Sequence, residues 1–127
     1  MNSNLWGGTN VAAPHDPPSA EQLVESVREW LETDVLPNVE GRLQFHTRVA
    51  MNVLAMVERE IALGGQQEVR HLAGLQAFEC DSDAELAQKI RNHELDSRHS
   101  EVEAFVFSSV VEKLRVANPK YLRDDQA

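Results

Sequence analysis

Arg42 and His46 stand four residues apart, one helical turn, on the same meridian as Val49, Val53 and Glu60. A guanidinium presents a planar fork of donors that suits carboxylate and phosphate. An imidazole one turn away adds a further donor or a proton acceptor. Arg48 and Asn52 repeat the spacing of four along the edge beside Phe45. Asp34 and Lys113 each fall in the middle of an otherwise apolar stripe on other segments. Buried charge is costly unless paired, which leaves three readings. Asp34, Arg42, His46 and Lys113 form an internal polar network that sets helix register. Alternatively, Arg42, His46 and Lys113 converge at an opening and bind an anion. In the third reading they belong to an interface with another protein.

The elements that must position these residues are helical. From Glu40 to Leu63 the chain follows a proline, has no Pro or Gly after Gly41, and meets Gly64-Gly65. The pattern predicts one helix ending at that glycine pair. Its inward face is Leu43, Phe45, Val49, Ala50, Val53, Leu54, Met56, Val57 and Ile61. Before it, Ser19 and Gln22 have capping-box spacing and open a helix with the stripe Leu23, Val24, Val27, Trp30, Leu31 and Val35. Pro37 stops that helix, and Asp34 and Arg42 flank the turn. Antiparallel packing would bring these two charges together. Gln66 to Glu79 reads as a further helix with Val69, Leu72, Ala73 and Phe78 inward. Ser82 and Glu85 form another capping box and open a short helix through Asn92, with Leu86, Ala87 and Ile90 inward. After a loop from His93 to Asp96, a last helix runs from Ser97 to Ala117. It carries Val102, Phe105, Val106, Val110 and Leu114 at period 3.6 and ends before Asn118-Pro119. The fold class is all-α: an antiparallel bundle of about five helices over residues 19–121. An extended, irregular N-terminal arm, 1–18, precedes it, with Leu5 and Trp6 available for docking. A charged tail, 122–127, follows.

Composition narrows the function. Twelve basic against 21 acidic residues give a net charge of −9, the wrong sign for gripping nucleic acid or docking on an anionic membrane. A single cysteine, Cys80, precludes an internal disulfide and suits a reducing, cytoplasmic compartment; it reads as a packed thiol. The N-terminal stretch lacks the charged and apolar regions of a signal peptide. No two of His15, His46, His71, His93 and His99 share a helix at ligand spacing, so no metal is expected. The glycine pairs match no nucleotide-binding loop, and no cofactor is expected. Ser108 and Ser109 lie mid-helix, where a hydroxyl bonds the carbonyl one turn back rather than acting as a nucleophile. His46 acting alone as the base of a lyase or hydrolase has no accompanying nucleophile or metal pattern.

The run Glu40-Gly41-Arg42-Leu43, with Phe45-His46, Arg48-Val49-Ala50, Asn52 and Leu54, resembles the core signature of a small bacterial family described as a domain of unknown function. Ser19-Ala20-Glu21 through Trp30-Leu31 resembles its first helix, and Glu112-Lys113-Leu114 through Asn118-Pro119-Lys120-Tyr121 its last. His93 stands where the family usually has Gly, with Asn92 available as a left-handed cap instead. Members are helical and are typically encoded beside an aminoglycoside-phosphotransferase-like kinase and an acyl-CoA dehydrogenase. The resemblance implies a non-catalytic accessory or activating subunit for such a kinase acting on hydroxyacyl-CoA, as in levulinate breakdown. It marks Arg42, His46, Arg48, Asn52, Lys113, Asn118 and Tyr121 as partner- or anion-binding positions. The alternative is a module that binds acyl-CoA or a phosphate anion directly. The expected partners are the kinase and the dehydrogenase, with a homodimer as a further form.

Overall fold

A computed structural model describes residues 11–126. Among these there are four α-helices and no strand: α1 (Ala20–Trp30), α2 (Gly41–Gln76), α3 (Asp83–Arg91) and α4 (His99–Ala117). The fifth expected helix, Gln66 to Glu79, is instead the continuation of α2. Leu5, Trp6 and most of the expected arm lie outside the described residues; Val11 to Pro18 is turn and irregular chain. No helix among the described residues is long and apolar enough to cross a membrane. The chain divides into two compact units, Met1–Ala62 and Leu63–Ala127, and α2 runs from one into the other.

In the first unit the Ser19 hydroxyl accepts from the Gln22 amide at 3.2 Å, and the Gln22 side chain accepts from the Ser19 amide at 2.7 Å. This reciprocal cap starts α1 where its spacing predicts. The end of α1 is less regular. Leu31–Val35 forms a π-turn in which the Leu36 amide reaches back five residues to Leu31, followed by a 3-10 turn over Leu36–Asn38. Pro37 has no N–H and its ring crowds the carbonyl four residues earlier, so a regular α ladder cannot continue through it. The wider turn takes residues out of the 3.6 phase. Asp34, expected in the middle of the inward stripe, is exposed.

The glycine pair at 64–65 does not stop α2. Each glycine costs about 1 kcal/mol relative to alanine, too little to end a helix whose later turns are held by packing. The inward face of α2 also differs from its apolar pattern. In the first unit its buried and half-buried positions are Gln44, Thr47, Ala50, Met51, Leu54, Ala55, Glu58 and Arg59, of which Ala50 and Leu54 were expected inward. Leu43, Phe45, Val49, Val53, Met56, Val57 and Ile61, expected inward, are exposed. The cause is the side on which α1 lies: Arg28 of α1 makes a two-pronged bond to the Glu58 carboxylate of α2, one prong at 3.1 Å. That clamp turns the Glu58 stripe toward α1 and leaves the apolar stripe outside. No apolar side chain among the described residues of this unit is buried.

The second unit has a closed core of Leu75, Phe78, Cys80, Leu86, Leu95 and Val102, with Phe105 packed against it. Cys80 is a fully buried free thiol, as its sequence context predicts. Phe78, Leu86 and Val102 face inward as expected, whereas Val69, Leu72, Ile90, Val106 and Val110 are exposed. Ser82 caps α3 by accepting from the Glu85 amide at 3.1 Å. The Glu85 carboxylate takes the Asp81 amide at 2.6 Å rather than closing a box on Ser82. Beyond α3, His93 itself adopts φ +62°, while Asn92 stays at φ −86°. The left-handed residue is therefore His93, and Asn92, expected as the left-handed cap, does not take that role. After a 3-10 turn at Asp96–Arg98, α4 begins at His99, two residues later than predicted. Arg98 binds the Ala77 carbonyl at 3.1 Å and lies over the Phe78 ring, tying the start of α4 to the end of α2.

Two glycines in α2 should respond oppositely to alanine. Nothing lies within 4 Å of a methyl placed at Gly65, whereas one at Gly74 would overlap the Phe105 ring. Gly65→Ala should stabilise by about 1 kcal/mol, and Gly74→Ala should destabilise by about 1–3 kcal/mol. Urea unfolding measures both, and a Gly65→Ala that destabilises would restore a helix break at that point.

Candidate functional site

Arg42 and His46 occupy the first turns of α2, entered through Gly41 at φ +59°. Both are exposed, and Arg42 Nε reaches His46 Nε2 at 3.4 Å, a long and weak hydrogen bond. The Phe45 ring meets the His46 ring edge-on, with centroids 5.4 Å apart. Arg48 turns to Gln44 Oε1 at 3.5 Å rather than pairing with Asn52; Arg48 and Asn52 are both exposed. Lys113 is exposed on α4, Asn118 caps the end of α4, and Tyr121 lies exposed in the turn after it. The expected buried network of Asp34, Arg42, His46 and Lys113 is thus corrected: all four are exposed. Asp34 and Arg42 are not joined by an ion pair; the Asp34 carbonyl instead accepts from the Asn38 side chain at 2.7 Å. Their inward placement rested on a helix face that turns outward.

Polar networks do exist in the structure, built from other residues. Glu112 of α4 accepts from Arg70 Nε at 2.8 Å and from Gln67 Nε2 at 3.0 Å, and Arg115 approaches at 3.5 Å. Its side chain is 19% exposed. The Arg70 hydrogen bond, supported by Gln67 and by the charges of Arg70 and Arg115, holds the Glu112 carboxyl below the usual carboxylate range against the opposing effect of burial. The same bond raises Arg70. In the first unit, the hydrogen bond to Glu58 is the main cause that raises Arg28.

His71 makes a second cluster. Its Nε2 lies 2.7 Å from Asp83 Oδ1, its Nδ1 lies 3.3 Å from Ser109 Oγ, and its ring stacks on Phe105 at 5.1 Å. Serine, histidine and aspartate are the composition of a hydrolytic triad, but the surroundings are not those of one. Ser109 donates to the Phe105 carbonyl at 2.9 Å, one turn back, as its mid-helix position predicts. The amides around it belong to the α4 ladder and cannot form an oxyanion hole. The cluster joins the end of α2 to α3 and α4. Gln67, Arg70, His71 and Gly74 share one stripe of the helix expected from Gln66 to Glu79, the signal that would have found both networks; only the apolar positions Val69, Leu72, Ala73 and Phe78 of that helix were read as inward. Among the described residues no group of three His, Cys, Asp or Glu is placed to hold a metal ion.

The class of protein these features define is a small one that is all-helical among its described residues, with Arg42, His46, Arg48, Asn52, Lys113 and Tyr121 exposed. The chain belongs to the family described as a domain of unknown function, DUF6285, whose model matches residues 37–121. That span leaves α1 outside the match. No curated protein and no solved structure matches the chain.

The lowered Glu112 pKa has a defined pH signature. The unfolded carboxyl takes up a proton before the folded one does, so its stabilisation is whole above the ordinary carboxylate pKa and disappears as pH falls through the lowered folded value. Glu112→Gln should lower the unfolding midpoint at neutral pH and flatten its fall below about pH 4.3. Thermal melts across the acid range measure this; parallel curves for the two proteins would remove Glu112 from the acid response.

Proposed function

We propose that this chain is a non-catalytic accessory subunit that binds and activates an aminoglycoside-phosphotransferase-like kinase acting on hydroxyacyl-CoA in the cytoplasm. The observation that carries an interaction role is the outer stripe of α4. Val106 and Val110 are nearly half exposed, at 45% and 47%, and Lys113 continues the same meridian at spacings of four and three. Phe107 and Tyr121 add exposed aromatic surface in the same unit. Apolar anchors beside a cation are what a protein partner uses for affinity and register. The kinase as partner rests on the likeness of the Glu40–Leu54 run, with Arg42 and His46, and of the Glu112–Tyr121 segment, with Lys113, Asn118 and Tyr121, to the family signature. An acyl-CoA dehydrogenase is the further partner that this likeness suggests.

The test is co-purification with an aminoglycoside-phosphotransferase-like kinase, followed by phosphorylation of a 4-hydroxyacyl-CoA with and without this chain. Wild type should associate and raise the rate. Val110→Asp and Lys113→Glu should each weaken association by at least ~10-fold with helicity unchanged. Absence of association sinks the proposal, and a melting temperature that rises with acyl-CoA alone would point to direct small-molecule binding.

A further inference from the structure

We infer that two copies of this chain pair through α2, antiparallel, about a two-fold axis that passes between Val49 and Val53 at the level of Met51, with Arg42 of each copy facing Glu60 of the other. The first ground is the missing core of the first unit. α1 and the Arg42–Glu60 part of α2 both carry apolar stripes, yet no described apolar residue there is buried. A helix in a folded protein draws most of its stability from burying such a stripe, and α2 of a second copy can supply the cover that α1 does not.

The second ground is the pattern on α2. Arg42 and Glu60 are about five turns apart on one meridian, with Val49, Val53 and Met56 between them and Phe45 and Val57 alongside; all are exposed. Reversal about position 51 sets Arg42 against Glu60, Phe45 against Val57, and Val49 against Val53. The face therefore complements itself when one copy runs opposite to the other, the symmetry an isologous dimer needs. Parallel pairing would place Arg42 on Arg42 and Glu60 on Glu60. Within the chain, Arg42 has its long bond to His46 and no ion pair with a described residue.

The third ground is exposure. Phe45, Val49, Val53, Met56 and Val57 on α2 are 38–62% exposed. They form one apolar stripe along the Arg42–Glu60 meridian, on the side of α2 away from the Arg28 clamp and open to a second copy. The inference is independent of the kinase reading, which uses α4.

Sedimentation of the full chain over a range of concentrations should show a species of about twice 14.3 kDa. Val53→Asp should raise the dimer dissociation constant by at least ~10-fold. Arg42→Glu and Glu60→Arg should each weaken self-association, and mixing these two variants should restore a dimer, since every facing pair is then of opposite charge. That rescue stays readable even where Val53→Asp loses helicity. A chain that stays monomeric throughout, a dimer indifferent to Val53→Asp, or charge variants that fail to associate on mixing would each overturn the inference.

Discussion

The backbone ladder of α2 is the constraint on which the rest depends. It runs through 36 residues without a break and contributes to both units. A glycine pair lies inside it, where local propensity favours a stop. Continuity wins because the turns beyond the pair are held from outside. Gln67 and Arg70 bind Glu112, His71 binds Asp83 and Ser109, and Leu75 is in the core. Each such contact opposes a helix break of only about 1–2 kcal/mol.

Stability is unevenly distributed along that helix. Beyond Leu63 the second unit closes an apolar core around Leu75 and Cys80, both essentially without solvent exposure. Before it, α1 is joined to α2 by the Arg28–Glu58 clamp, and the apolar stripes of both helices remain outside. A charged clamp sets orientation well and contributes modestly to stability, because desolvation offsets much of its attraction. A unit built this way leaves its apolar outer face uncovered by its own helices. The His71–Asp83–Ser109 cluster of the second unit lacks free amides and a free hydroxyl proton, and joins helices.

Much of the fold was legible in local pattern. The start of α1, the capped start of α3 and the end of α4 at Asn118-Pro119 follow from residues within one turn of each boundary, so spacing alone locates them. The burial of Cys80, Phe78 and Leu86 and the backward bond of Ser109 were legible in the same way. His93 shows the opposite case: its left-handed backbone is set by the turn into the next segment, not by the preference of histidine.

By itself the sequence determined helix type, most helix ends and the meridian shared by Arg42, His46, Val49, Val53 and Glu60, because these depend on residues three or four apart. Which meridian faces inward was decided only by tertiary structure. An amphipathic stripe states that a face needs cover; it does not state that the same chain supplies it. The Arg28–Glu58 clamp joins residues 30 apart and the Gln67–Glu112 bond residues 45 apart. No local periodicity encodes such pairings. They turned the α2 apolar face outward, carried the helix through Gly64-Gly65, and placed the charges once assigned to a buried network at the surface.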